Sequence, residues 1–172
     1  MPGVLLTGTV GAGKTALATD IGEVLTGEAL SPAVIDLDWL GWFTQRGGSS
    51  ADIEDLIREN LAAIWPNFRT RRATHVVMSR LVREPQQIAG YRQALGDVDL
   101  IVVRVTASAE TIRDRLSRRD TGSILEEHLT EARKMSVLLD GSQGGDFSIA
   151  NEGRPIRDVT TELLDKLGWT KQ

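Results

Sequence analysis

The stretch Gly8-Thr9-Val10-Gly11-Ala12-Gly13-Lys14-Thr15 decides the fold of this chain. It fits the pattern G-x-x-x-x-G-K-[ST] and directly follows the apolar run Val4-Leu5-Leu6. After it, apolar residues recur at the spacing of one helix face, at Leu17, Ile21, Val24 and Leu25. We therefore predict a strand, a phosphate-binding loop and an amphipathic helix in succession.

The fixed positions of this motif suit a polyphosphate. Gly8 and Gly13 permit backbone angles that a side chain would block, so that amide groups of the loop residues Thr9, Val10, Gly11 and Ala12 can converge on phosphate oxygens. Lys14 supplies a positive charge for the outer phosphates, and the Thr15 hydroxyl is a hard oxygen ligand for Mg²⁺. The alternative is an ordinary glycine-rich turn, but the flanking strand and helix favour a nucleotide site.

Composition limits the class of protein. At 172 residues and 41% hydrophobic, the chain suits a single domain spanning residues 1–172. The net charge of −4 disfavours nucleic-acid binding through a broad basic surface, and the absence of cysteine excludes disulfides. With no apolar stretch of about 20 residues and no secretory signal, we expect a cytoplasmic protein without a membrane span, as a monomer or homodimer.

Strand-like and helix-like segments alternate along the chain. The predicted strands are Val4–Leu6, Ala33–Ile35, Thr74–Met78, Leu100–Val103 and Phe147–Ala150. Between them we predict a helix from Asp52 that stops before Pro66, one from Pro85 to Gly96, one capped by Ser108, one over Leu125–Leu139 and one from Pro155 to Gly168. The pattern predicts an α/β fold of three layers, with a five-stranded parallel sheet flanked by helices. Ligands of such sheets bind at the carboxyl ends of the strands.

Two carboxylates, Asp36 and Asp38, follow the second predicted strand. Residues at i and i+2 of an extended segment point to the same side, so both can face the crevice beside the phosphate loop. One carboxylate can help to hold Mg²⁺ and the other can accept the proton of an attacking hydroxyl. A solvated turn after the strand is the alternative.

With its phosphate loop, its Asp36-x-Asp38 and an arginine-rich segment after the fourth strand, the chain resembles the P-loop small-molecule kinases. This group contains shikimate, gluconate and nucleoside monophosphate kinases, and the order of motifs is most similar to shikimate kinase. The resemblance implies the three-layer P-loop kinase fold with a small lid. It also implies that Asp36 assists Mg²⁺ and that Asp38 contacts the acceptor hydroxyl.

The segment from Glu110 to Arg119 is similar to the arginine-bearing helix and lid of these kinases. The likeness implies that Arg115 lies near the adenine, that Arg118 or Arg119 folds over the phosphates, and that the lid covers about residues 118–126. Arg133, on the next helix, is implied to face the phosphates or the acceptor. The alternative for these arginines is a solvated helix face.

The acceptor region, about residues 39–72, is less clear. Trp39, Trp42 and Phe43 can either form a wall for a ring-bearing acceptor or cover the sheet edge. Arg80, after the third strand, can hold an anionic group, as can Arg58. Here the chain lacks the glycine-rich triplet of shikimate kinases, so the acceptor itself stays open.

The sequence thus predicts an ATP-dependent phosphotransferase that uses Mg²⁺ and moves the γ-phosphoryl group to a hydroxyl of a small molecule. One alternative is a nucleoside or nucleotide kinase. An alternative of another class is a non-catalytic or switch-type ATP-binding module.

Overall fold

The computed structural model describes residues 1–43, 50–140 and 145–169. Strands and helices alternate through them. In chain order the elements are β1 (Pro2–Thr7), α1 (Lys14–Gly27), β2 (Pro32–Asp36), α2 (Leu37–Leu40), α3 (Ser50–Thr70), β3 (His75–Ser79), α4 (Pro85–Leu95), β4 (Asp99–Thr106), α5 (Ala109–Arg119), α6 (Gly122–Asp140), β5 (Phe147–Ala150) and α7 (Ile156–Leu167).

The strands form one five-stranded sheet in the order β2-β3-β1-β4-β5, and every neighbouring pair is parallel. The predicted α/β fold with a parallel sheet is therefore confirmed. Because β1 lies at the centre and the chain crosses first to one side of it and later to the other, the crevice opens beyond the end of β1. Asp36 at the end of β2 is in register with Ser79 at the end of β3.

Apolar cores fill both faces of the sheet. Along β1 the side chains alternate, so that Val4 and Leu6 pack with α1 and α7, whereas Leu5 packs with α3 and α4. A smaller cluster around Leu116 joins α5 to α6. The result is three layers, with the sheet between two sets of helices.

Helix α3 differs from its prediction, because it begins at Ser50 and runs through Pro66 to Thr70. The predicted stop before Pro66 is wrong. A proline inside a helix loses one backbone hydrogen bond. Here the neighbouring residue packs the turn around Pro66 into the core. The Trp65 side chain is 2% exposed, and its indole Nε1 donates to the Leu95 carbonyl at 3.0 Å. Tertiary packing therefore outweighs the local preference.

Two further segments are more helical than the sequence indicates. The short helix α2 follows β2 directly, because an Asp36 side-chain oxygen accepts from the Asp38 amide at 3.1 Å and caps it. Helix α6 begins at Gly122 rather than Leu125, so that only two residues separate it from α5. The lid segment predicted from the sequence, residues 118–126, covers this α5–α6 junction. In the described ranges, no helix combines the length and the apolar character that a membrane crossing needs.

Candidate active site

The backbone of the loop between β1 and α1 requires glycine at several positions, of which Gly8 and Gly13 are the most constrained. Gly8 and Gly13 have φ angles of 142° and 92°, in a region that other residues rarely adopt. A Cβ on Gly8 would lie 2.3 Å from the Val105 carbonyl oxygen, and one on Gly13 would lie 2.3 Å from Asn151 Nδ2. The loop therefore packs against the ends of β4 and β5 as well as leading into α1.

Two side chains brace this loop from the β5 side. Asn151 Nδ2 donates to the Ala12 carbonyl at 2.9 Å, and Arg115 Nη1 donates to the same oxygen at 3.1 Å. The other amino group of Arg115 donates to the Asn151 carbonyl at 2.6 Å. Arg115 thus binds the loop itself, and it also lines the cavity in front of the loop. The side chain of Asn151 is missing from our sequence-based assignment, although its place directly after a strand is a signal for the crevice.

Lys14 and Thr15 open α1 at the phosphate loop. Lys14 Nζ donates to the Thr9 carbonyl at 3.0 Å, and Thr15 Oγ1 donates to Asp36 Oδ2 at 2.8 Å. Burial lowers the pKa of Lys14 to about 8, against the attraction of the Asp38 and Asp36 carboxylates for its charged form. Thr15 and Asp36, the two residues that the sequence analysis assigns to Mg²⁺, are therefore neighbours in the structure.

The hydroxyl and carboxylate oxygens of Thr15 and Asp36 fit a magnesium ion. Both are hard ligands, and Mg²⁺ at a phosphate loop takes further ligands from phosphate and water. No cluster of three or more His, Cys, Asp or Glu side chains suited to a metal occurs among the described residues. The chemistry of the Thr15 and Asp36 oxygens alone thus fits Mg²⁺ whose other ligands come from phosphate and water.

Asp38 extends from α2 toward the same crevice and is held by Arg80. Arg80 Nη1 donates to Asp38 Oδ1 at 2.6 Å, while Nη2 donates to Glu54 Oε2 at 2.8 Å. Arg80 is 9% exposed, so this cation is buried between two carboxylates. Desolvation by the surrounding protein raises the pKa of the Asp38 carboxyl, and Arg80 partly offsets the rise.

A cavity of about 560 Å³ joins these groups. Its lining includes the loop and the start of α1, the two carboxylates at the end of β2 and in α2, two tryptophans and four side chains from α5 and α6. These residues are Val10, Gly11, Gly13, Lys14, Thr15, Ala16, Asp36, Asp38, Trp39, Trp42, Arg115, Leu116, Arg119 and His128. The structure thus brings together most of the predicted site.

A second cavity, of about 480 Å³, is lined by Arg58 and Arg80 among others, and Arg80 joins it to the first cavity through its hydrogen bond to Asp38. The arginines on its wall are all paired with carboxylates. Arg58 pairs with Asp55, Arg80 with Asp38 and Glu54, and Arg83 with Glu131. Arg58 therefore lines this second cavity and does not line the cavity in front of the phosphate loop.

The arginines that the sequence analysis assigns to the phosphates differ in whether they line the cavity. Arg119 faces the cavity and donates to both oxygens of Asp120 at 2.9 Å, and His128 Nδ1 lies 2.7 Å from Asp120 Oδ2. These hydrogen bonds from Arg119 and His128 lower the pKa of Asp120 to about 2. By contrast, the Arg118 side chain is 79% exposed and pairs with Asp114. Arg133 is exposed on α6 and, like Arg118, does not line the cavity.

Trp39 and Trp42 are stacked on each other, with ring centroids 4.9 Å apart and an angle of 18° between their planes. They are 68% and 75% exposed, and both line the cavity. The interpretation of these two residues as cover for the sheet edge is therefore wrong. Phe43 is also exposed, at 59%.

Solved structures of small-molecule kinases have the same fold. The APS kinase of Mycobacterium tuberculosis in complex with AMPPNP and APS is 22% identical, with 97% of each chain covered and a TM-score of 0.63. A shikimate kinase from Bacteroides thetaiotaomicron is 19% identical, covering 96% of this chain and 98% of that one, with a TM-score of 0.64. A gluconokinase from Sinorhizobium meliloti 1021 is 18% identical, covering 97% and 91%, with a TM-score of 0.64.

Family comparison agrees with the motif at the centre of the site. No curated protein sequence matches the chain significantly. The profile of a family described as an AAA domain matches residues 4–136, which include the phosphate loop, both carboxylates after β2 and the arginines of α5. The chain therefore belongs to this AAA-domain family, with the fold of the P-loop small-molecule kinases.

Proposed function

We propose that the protein is an ATP-dependent phosphotransferase that moves the γ-phosphoryl group to a hydroxyl of a small molecule. One observation carries the proposal. Asp38 lines the same cavity as Lys14 and Thr15, and a buried arginine fixes its carboxylate there. This arrangement supports a phosphoryl donor site and a proton acceptor for a hydroxyl within one crevice.

On the donor side, Lys14 neutralises the outer phosphates, and the loop residues Gly8–Thr15 hold them through backbone amides. Thr15 and Asp36 would hold Mg²⁺, which supplies positive charge to the β- and γ-phosphate oxygens. Arg115 braces the loop and borders the nucleotide. Arg119 is the lid-segment arginine that we assign to the phosphates, because it lines the cavity and Arg118 does not.

On the acceptor side, Asp38 accepts the proton of the attacking hydroxyl. The new bond forms between that oxygen and the γ-phosphorus, while the bond from the γ-phosphorus to the β–γ bridging oxygen breaks and ADP leaves. Arg80 holds the carboxylate in position. Desolvation raises the pKa of Asp38, and the direction of this shift favours proton acceptance, although the side chain is 62% exposed.

The charges favour an uncharged acceptor over a nucleotide. An acceptor phosphate is bound best by arginines whose positive charge is not already offset, whereas those of the second cavity are each paired with a carboxylate. The exposed Trp39 and Trp42 favour an acceptor that carries a flat ring. A switch-type module would have no need for the Asp38–Arg80 pair beside the phosphates.

The test is a screen for ADP release with pooled hydroxylated metabolites, nucleosides and antibiotics. We expect at least one uncharged, ring-bearing compound to accelerate ADP release in the wild-type protein. The Lys14→Ala variant serves as the negative control, because it keeps the acceptor residues and loses the positive charge that binds the outer phosphates. Acceleration by nucleoside monophosphates alone would favour the nucleotide-kinase alternative.

A further inference from the structure

Glu54, on α3, is a charged residue at the otherwise apolar contact between α3 and α4. Its side chain is 16% exposed. Three side chains bind its carboxylate: Arg80 Nη2 and Gln87 Nε2 both donate to Oε2 at 2.8 Å, and the Tyr91 hydroxyl donates to Oε1. Gln87 and Tyr91 belong to α4, so that Glu54 lies where α3, α4 and the end of β3 meet.

The groups around this carboxylate favour its ionised form. Burial alone would raise the pKa of Glu54, but the hydrogen bonds from Tyr91 and Gln87 and the charge of Arg80 bring it below its ordinary value. A fixed negative charge therefore stands behind the guanidinium of Arg80. Tyr91 is itself fully buried, which keeps this end of the network rigid.

The guanidinium of Arg80 is shared between an inner and an outer carboxylate. Nη2 binds the inner Glu54, while Nη1 binds the outer Asp38, whose side chain is 62% exposed. Nε of Arg80 is buried, with no hydrogen-bond partner from the described residues. The two amino groups alone thus fix the orientation of the guanidinium, and the rigid contact is the one with Glu54.

This division leaves one oxygen of Asp38 accessible. Arg80 binds only Oδ1 of Asp38, and no hydrogen bond from the described residues reaches Oδ2. A guanidinium with both amino groups free prefers to bind a carboxylate through two parallel hydrogen bonds. Without Glu54, Arg80 would turn to grip both oxygens of Asp38.

We propose that Glu54 is a positioning residue for phosphoryl transfer: it holds Arg80 so that Arg80 orients Asp38 through one oxygen and leaves the other for the acceptor hydroxyl. The inference rests on the proposed function of Asp38. A purely structural role is a poor explanation, because apolar residues such as Ile57 and Leu61 already supply the core on this face of the sheet. A buried ion pair adds little net stability in such a place.

The first test observes how Glu54 holds the Arg80 guanidinium and needs no reaction. In ¹H–¹⁵N spectra recorded for side-chain guanidinium groups, we expect separate, slowly exchanging Nη signals for Arg80 in the wild-type protein. Glu54→Gln should shift and broaden the Arg80 signals. Glu59→Gln is the matched control, since Glu59 is exposed on the same helix, and it should leave them unchanged. Arg80 signals that are unchanged in Glu54→Gln would overturn the proposal.

The second test is a double-mutant cycle with the acceptor that the ADP-release screen identifies. Glu54→Gln should lower kcat about tenfold and leave KM for ATP within about twofold of the wild-type value. In an Asp38→Asn background the same change should have little further effect, because its route through Asp38 is already lost. Equal effects in both backgrounds would show a structural role and overturn the proposal. If no acceptor is found, the proposed function fails, while the Arg80 spectra still decide whether Glu54 holds the guanidinium.

Discussion

The proposed donor end of the crevice, around the phosphate loop, and its proposed acceptor end, around Asp38 and Arg80, are built differently. At the donor end, Asn151, Arg115 and Lys14 bind backbone carbonyls of the phosphate loop. At the acceptor end, side chains bind side chains, and the two ion pairs of Arg80 join residues 42 and 26 positions apart. The donor end therefore depends on one backbone conformation, whereas the acceptor end depends on particular pairs of charged residues.

The two ends should therefore differ in how selective they are for a ligand. A loop of backbone groups recognises phosphate, which every nucleoside triphosphate carries. A pocket with paired charges and exposed rings can be selective for one acceptor, because each unsatisfied polar group would penalise a wrong one. Substitutions at the two ends should accordingly produce different kinetic defects.

The largest effect should come from the acceptor end. Asp38→Asn removes the proton acceptor and should lower acceptor-dependent kcat by about 10²–10⁴. Affinity for ATP should stay close to that of the wild type, as measured by calorimetry. Asp97→Asn is a control at an aspartate whose side chain is 89% exposed. Unchanged transfer by Asp38→Asn would remove Asp38 from the mechanism.

A backbone change should weaken the donor end instead. Gly13→Ala combines a strained φ of 92° with a Cβ only 2.3 Å from Asn151 Nδ2, and it should weaken ATP binding about tenfold or more. Gly153→Ala is the matched control, because Gly153 also has a positive φ, 71°, but no atom within 4 Å of the added Cβ. Equal ATP affinities in the two variants would mean that the Asn151 contact plays no part.

The donor end should also depend on pH through Lys14. The pKa of Lys14 is lowered to about 8 in the protein without nucleotide, so that ATP must bind with uptake of a proton above that pH. ATP affinity should fall as pH rises from 8 to 9, by at most about tenfold per pH unit. Lys14→Arg, which stays charged, should flatten this dependence in calorimetric titrations. A wild-type affinity that is constant across this range would contradict the lowered pKa.

Lys14 should also affect the stability of the fold, and here the effect of pH is opposite: ATP affinity falls as pH rises, whereas stability rises. Burial disfavours the charged form of Lys14, so its contribution to the free energy of unfolding should rise as pH increases from about 8 to 10.5, the ordinary value of a lysine. Urea unfolding of the wild type and Lys14→Met should show the variant to be more stable at pH 7. The difference in free energy of unfolding between Lys14→Met and the wild type should become smaller between about pH 8 and pH 10.5.

The smallest effect should come from the outer face of the lid segment. Arg118→Ala should change kcat by less than about twofold, because the side chain is 79% exposed and pairs only with Asp114 among the described residues. Arg119→Ala, at the cavity, should lower kcat several-fold more. A larger loss in Arg118→Ala than in Arg119→Ala would mean that the α5–α6 junction moves during turnover.

The donor end could be predicted because its parts are close in sequence or are placed by the sheet. The motif Gly8–Thr15 indicates the loop, and the parallel sheet places Asp36 beside Thr15. The brace from Asn151 was not predicted, since it comes from the far end of the chain. Pro66 misled the prediction of α3, because the buried Trp65 holds that turn in the core.

The acceptor end was only partly predictable. Asp38 and Arg80 could be chosen from their positions after strands, but the role of Glu54 depends on how α3 and α4 pack. Its spacing on α3 marks it as an ordinary polar position. The exposure of Trp39 and Trp42 could not be read from composition, because aromatic residues after a strand suit a core or a ligand wall equally well.

The most direct measurement follows the γ-phosphoryl group itself. The protein is incubated with ATP labelled with ³²P at the γ position, Mg²⁺ and the pooled uncharged acceptors, and the products are separated. We predict a labelled small molecule that forms in proportion to ADP and is absent with Asp38→Asn. Label found only in inorganic phosphate or remaining in ATP, with every acceptor pool, would contradict the assignment as a small-molecule phosphotransferase.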